Sequence, residues 1–142
     1  MLTDHSANII LNNLTGRSST SNLSSGLVYV GLSTTPPNKD GTGYTEPVDN
    51  GYSRVLLGMH NQALTQKMSA ANESETTNID IVHFPEATGG WGTCTHFLIF
   101  NNATTGVLLA YEPLETPIVP VSGDVPIIRI GDLKITIDKD EE

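Results

Sequence analysis

Thr95-His96-Phe97-Leu98-Ile99-Phe100-Asn101-Asn102-Ala103-Thr104-Thr105-Gly106-Val107-Leu108-Leu109-Ala110-Tyr111 contains two short apolar runs separated by a polar turn that closes on Thr-Gly. Its aromatic and branched aliphatic residues suit a pleated surface, so Thr95 to Phe100 and Val107 to Tyr111 read as strands joined through Asn101 to Gly106. The same pattern recurs on both sides. Leu27 to Leu32, Tyr52 to Leu57, Asn78 to Phe84, Val125 to Ile130 and Leu133 to Ile137 are strand-like, with turns at Pro85 to Gly92, Ser122-Gly123-Asp124 and Gly131-Asp132. The last turn predicts a tight hairpin between the two final strands, and Leu133, Ile135 and Ile137 alternate with Lys134 and Thr136 as a half-buried strand should. In Leu27 to Leu32 both parities are apolar, so this strand is expected to be covered on both faces.

Seven short strands with no interleaved helices predict an all-β fold, an antiparallel β-sandwich of about seven to eight short strands. The exception is the start of the chain. Ala7, Ile10, Leu11 and Leu14 lie at helical spacing, with Asp4 or Ser6 as N-cap and Gly16 as a stop, and predict one short N-terminal helix. Residues 16–26 are small and polar and read as a linker. The expected division is therefore a helix and linker arm over 1–25, a sandwich over 26–138 and an acidic tail over 139–142. Ser33 to Gly51 is rich in Pro and Gly and reads as a long loop that binds or packs against something. Ala63, Leu64, Met68 and Ala71 allow a weak helical turn, and Asn72 to Asn78, lacking core-facing residues, reads as an exposed loop.

The chain has 142 residues, enough for one core. Seven Lys and Arg against sixteen Asp and Glu give a formal charge of −9, which repels phosphate backbones and anionic lipid, so neither nucleic acid nor membrane is an expected partner. No apolar run is long enough to span a bilayer. The opening MLTDHSANII has neither a basic region nor a long apolar stretch of an export signal, which suggests synthesis and assembly in a cytoplasm.

Reactive constellations are thin. His60, His83 and His96 share no metal-binding spacing, and the Asp40 to Asn50 loop has oxygen donors for calcium without the regular Asp-x-Asp-x-Asp-Gly pattern. The single Cys94 forms no intramolecular disulfide and is expected to pack as a small apolar residue, although it stands two positions from His96. No nucleophile elbow, phosphate loop or dinucleotide fingerprint is present. Catalytic residues, metal and cofactor are accordingly expected to be none. Trp91, the only tryptophan, lies between glycines just before a strand. It caps one end of the core or, if exposed, offers a stacking platform for sugar.

Several pieces taken together resemble a known group. They are Tyr29-Val30-Gly31-Leu32-Ser33-Thr34-Thr35-Pro36, Gly41-Thr42-Gly43, Gly51-Tyr52-Ser53-Arg54-Val55, Phe84-Pro85-x-Ala87-Thr88-Gly89-x-Trp91-Gly92-Thr93-x-Thr95-His96-x-x-Ile99-Phe100, Gly106-x-Leu108-Leu109-x-Tyr111 and Gly123-Asp124. In this order, over residues 26–138, the chain resembles small virion structural proteins of tailed bacteriophages, the tail fibre and capsid decoration proteins. It departs from them at Cys94, where an aliphatic residue is usual, and in a longer polar insertion over Lys67 to Asn78. The resemblance implies a compact sandwich without a catalytic centre, located in the virion and assembled with itself, as a homotrimer, and with other virion proteins. Candidate assembly or binding residues are Ile10, Leu11 and Leu14 on the helix, with Tyr44, Tyr52, Trp91 and His96. The competing reading is a glycan-binding adhesin domain of a phage tail, in which Trp91, Tyr44 and Tyr52 contact host surface sugars. A third is a small hydrolase using His96 with a carboxylate.

Overall fold

The computed structural model describes residues 1–15, 27–59, 67–69, 71 and 74–136, without the side chains of residues 11–14 and 59. Helix α1 (Asp4–Leu14) precedes the described strands β1 (Leu27–Ser33), β2 (Val55–Met59), β3 (Glu75–Thr77), β4 (Val82–His83), β5 (Cys94–Phe100), β6 (Leu108–Ile118), β7 (Ile127–Ile128) and β8 (Lys134–Thr136). One layer is a four-stranded antiparallel sheet in the order β2-β1-β5-β6. Facing it are two antiparallel ribbons, β3-β8 and β4-β7. Between the layers Val30, Leu32, Phe97 and Ile99 from the sheet meet Val82, Phe84, Ile128 and Leu133 from the ribbon side. Each such side chain contributes roughly 1.5–3 kcal/mol by leaving water, so this shared interior holds the sandwich together. On the opposite face of the sheet Leu98, Phe100 and Leu108 are covered by Tyr44 and Tyr111. The central strands are therefore enclosed on both sides, as the two-parity pattern of β1 requires.

The sheet matches its sequence pattern closely at β5. At β6 it runs well past Tyr111, through Pro113 and Pro117, to Ile118. This strand lies at the edge, where a missing N–H removes no ladder bond. Its register against β5 jumps from His96↔Pro113 to Cys94↔Ile118, so the intervening residues bulge away. Strand β2 begins at Val55 rather than Tyr52, because Tyr52 is used from the side, as described below.

The ribbon layer differs from expectation. Gly131-Asp132 does form a turn, with Asp132 N–H donating to Arg129 O at 3.0 Å. The flanking strands do not pair as a hairpin, however: β7 pairs with β4 and β8 with β3. Glu75–Thr77, expected to be loop, forms β3 because its backbone pairs with β8 while its side chains stay half-exposed. Met68 makes an extended bridge with Asn78 in place of a helical turn, and Ala63 and Leu64 lie outside the described residues.

Helix α1 is capped by Thr3, whose Oγ1 accepts Ser6 N–H at 3.4 Å, in place of Asp4 or Ser6. Thr3 and Ser6 are buried because both hydroxyls turn to the start of β6: Thr3 Oγ1 donates to Leu108 O and Ser6 Oγ to Leu109 O, each at 2.8 Å. Residues 1–3 also pair with the outer edge of β6, through Thr3 N–H to Leu109 O and Tyr111 N–H to Met1 O. The expected stop, Gly16, lies outside the described residues.

Candidate assembly surface

Three polar knots fix the loops that frame the molecule's surfaces. The first is built on Arg54. Its Nε and second terminal nitrogen donate to Glu46 Oε1 and Oε2 at 3.0 and 2.7 Å, a two-pronged pair with the Arg54 side chain 5% exposed. The remaining nitrogen donates to Asn102 O and Thr105 O in the β5–β6 turn, and the guanidinium lies 3.4 Å above the Phe100 ring. Tyr52 joins this group by donating its hydroxyl to Glu46 Oε1 at 2.6 Å while accepting Leu32 N–H at 3.0 Å. It thus satisfies β1 where β2 has not yet begun. Burial and the Glu46 carboxylate push the Tyr52 hydroxyl far above its ordinary value. Gly31 is required here, since a Cβ would lie 2.6 Å from that hydroxyl.

Trp91 forms the second knot. It is 4% exposed, meets Tyr52 and Phe84 edge to face, and donates Nε1–H to Asn50 O at 2.8 Å. The indole therefore fills the core, and it does not stand out as a platform for sugar. The third knot is Asn78, 1% exposed, whose amide donates to Asp80 O and Arg129 O and accepts from Gly131 N–H and Leu133 N–H. All four hydrogen-bonding capacities are used, which is why an amide is tolerated inside.

The other candidate residues are dispersed. Ile10 is half-buried on α1, and the side chains of Leu11 and Leu14 lie outside the described set. Tyr44 stands edge-on to Phe100, with centroids 5.3 Å apart. His96 is half-exposed with Nδ1 2.9 Å from Thr95 Oγ1; desolvation lowers its pKa, and Glu112 partly opposes that shift. Cys94 is fully buried and its thiol is pushed up to about 11 by burial, so at neutral pH it is a protonated, space-filling group. Among the described residues no group of three His, Cys, Asp or Glu side chains is placed to hold a metal ion, and no helix is long and apolar enough to cross a membrane.

The most distinctive surface lies on the ribbon layer and involves none of these residues. From Val119 to Ile128 the chain runs antiparallel beside residues 82–91, through Trp91 N–H to Pro120 O, Ala87 N–H to Asp124 O and Phe84 N–H to Pro126 O. Pro120, Pro126 and Ile128 point inward and are buried. The alternate positions Val119, Val121, Val125 and Ile127 point outward, with Val121 55% and Val125 50% exposed. Ile79, Ile81 and Ile130 are exposed as well. A segment apolar on both parities is characteristic of a strand covered on both faces, and here the described residues cover only one face. Next to it, between the end of β6 and β7, runs a groove of about 410 Å³ lined by Leu114, Pro117, Ile118 and Ile127 together with Glu115, Arg129 and Asp132. The signal was present in Val119-Pro120-Val121 and Val125-Pro126-Ile127-Ile128, but only pairing with 82–91 shows which parity faces out.

Compared with known proteins, residues 1–136 match the family model Gp80, described as podophage GP4 fiber I protein gp80. No curated protein matches the chain.

Proposed function

The chain belongs to the Gp80 family of podophage GP4 fiber I proteins, and on that premise we propose that it is a non-enzymatic building module of the virion's fibre, acting through protein contacts. Its partners are copies of itself, in a closed oligomer, and other virion proteins. The single observation that carries this reading is the outward apolar strip on Val119, Val121, Val125 and Ile127. Aliphatic side chains on a flat ribbon face gain free energy by leaving water against another protein surface, and they offer few directed polar groups to a sugar or a reacting substrate.

The test is light scattering coupled to size exclusion, with wild type and Ile127→Lys compared at equal concentration. Wild type is expected at a small multiple of the monomer mass, and Ile127→Lys at a lower multiple with unchanged circular dichroism. A wild-type chain that stays monomeric at high concentration overturns the self-assembly. Binding on a glycan array, retained in Ile127→Lys, would favour the adhesin reading instead.

A further inference from the structure

The loop before β2 contains three successive residues at positive φ: Asp49 at 62°, Asn50 at 55° and Gly51 at 85°. Asp and Asn tolerate this left-handed region, and Tyr52 N–H closes the turn on Asp49 O at 3.1 Å. Asn50 is then gripped from three directions. Its carbonyl accepts Trp91 Nε1–H at 2.8 Å and Thr88 N–H at 2.9 Å, and its Nδ2 donates to Gly90 O at 2.9 Å. Its side chain lies close over Gly89, where a Cβ would be 2.7 Å from Asn50 Oδ1.

Asn50 is followed by glycine, and that dipeptide has a chemistry of its own. With no side chain on the following residue to obstruct it, the backbone nitrogen reaches the asparagine side-chain carbon more easily than in any other sequence. We propose that Asn50 is a deamidation site masked by the fold. In the reaction Gly51 N bonds to Asn50 Cγ and gives up its proton. The Cγ–Nδ2 bond breaks and the nitrogen leaves as ammonia, taking up a proton. Water then opens the succinimide ring at either carbonyl, leaving aspartate or isoaspartate at position 50. Water is the only co-reactant.

Ring closure requires the Asn50–Gly51 peptide to swing about the Asn50 Cα–C bond. That rotation carries off the carbonyl held by Trp91 and Thr88, and the departing amide is the one held by Gly90. In the closed turn the reaction is therefore blocked, and it proceeds when the turn opens. The product does not restore the contact: a carboxylate has no hydrogen to give Gly90 O, and isoaspartate adds an extra carbon to the backbone. Opening of this loop is thus converted into a permanent chemical mark, a property separate from the contact role proposed above.

The experiment incubates the full chain in mildly alkaline buffer, native and in urea, and follows ammonia loss in the peptide spanning residues 50–51 by mass spectrometry. The native rate is expected to be more than about tenfold below the unfolded rate, the protection a locally closed segment confers. Gly89→Ala, which displaces the Asn50 side chain, is expected to raise the native rate several-fold in a protein that remains folded by circular dichroism. Trp91→Phe, which keeps a ring and removes the Nε1 donor, provides the same comparison if Gly89→Ala does not fold. Equal native and unfolded rates overturn the proposal, as does a folded variant whose rate is unchanged.

Discussion

The two layers of this sandwich are stabilised differently. In the sheet β2-β1-β5-β6, long strands share extended ladders, bulged in places, and present apolar residues to both sides. Across from it, strands of two or three residues lack ladder enough to hold themselves. They are tied by side chains and turn backbone, above all by the four bonds of Asn78. A sheet built on ladders is insensitive to loss of any one polar side chain. A layer built on one satisfied amide is not, because removing that amide takes away four bonds at once and leaves the buried Leu133 N–H without a partner.

The largest effect should come where the layers meet. Trp91→Ala removes an indole packed on Tyr52 and Phe84 and is expected to cost about 3–5 kcal/mol in urea unfolding. A cost well below this range would mean that the layers are stabilised independently of the Trp91 junction. Asn78→Ala should cost on the order of 3 kcal/mol, since the buried Leu133 N–H loses its partner and Arg129 O keeps only its bond from Asp132 N–H. Hydrogen exchange in this variant should accelerate in β3, β7 and β8 while β1 and β5 stay protected. Uniform acceleration would erase the distinction between the layers. The smallest effect belongs to the sheet. Desolvation lowers the pKa of His96 below its unfolded value, so the unfolded chain binds more protons and stability declines as pH falls through the region of the unfolded pKa, near 6.5. His96→Gln is expected to show a shallower loss of urea midpoint between neutral and mildly acidic pH, and an unchanged slope would assign the acid sensitivity elsewhere.

The same contrast explains what could be read in the amino acids. β5, the start of β6 and the enclosure of β1 follow from local apolar pattern, whereas Trp91, a lone indole between glycines, was open to a core or an exposed reading that only its burial and its bond to Asn50 O separate. β3 has no such signal, because Glu75, Thr76 and Thr77 are held by backbone pairing to residues far along the chain. Gly131-Asp132 marked a turn correctly, yet whether flanking strands pair across a turn is decided by what else is available to each, and Asn78 inserts between them. The Glu46–Arg54–Tyr52 knot escaped notice because its members sit in a loop where charged and aromatic residues are ordinarily solvent-facing. The apolar strip was visible as composition only. Its outward parity is set by inter-segment hydrogen bonds.

The bonds from Arg54 to Asn102 O and Thr105 O bear on how the molecule tolerates acid. A guanidinium keeps its proton at any acidity a folded protein survives, and backbone carbonyls do not titrate. Acid strong enough to neutralise carboxylates across the surface would weaken the Glu46 side of this knot but leave these two bonds charged as before, so the bend between β5 and β6 keeps its ties to Arg54 when particles meet a sour environment.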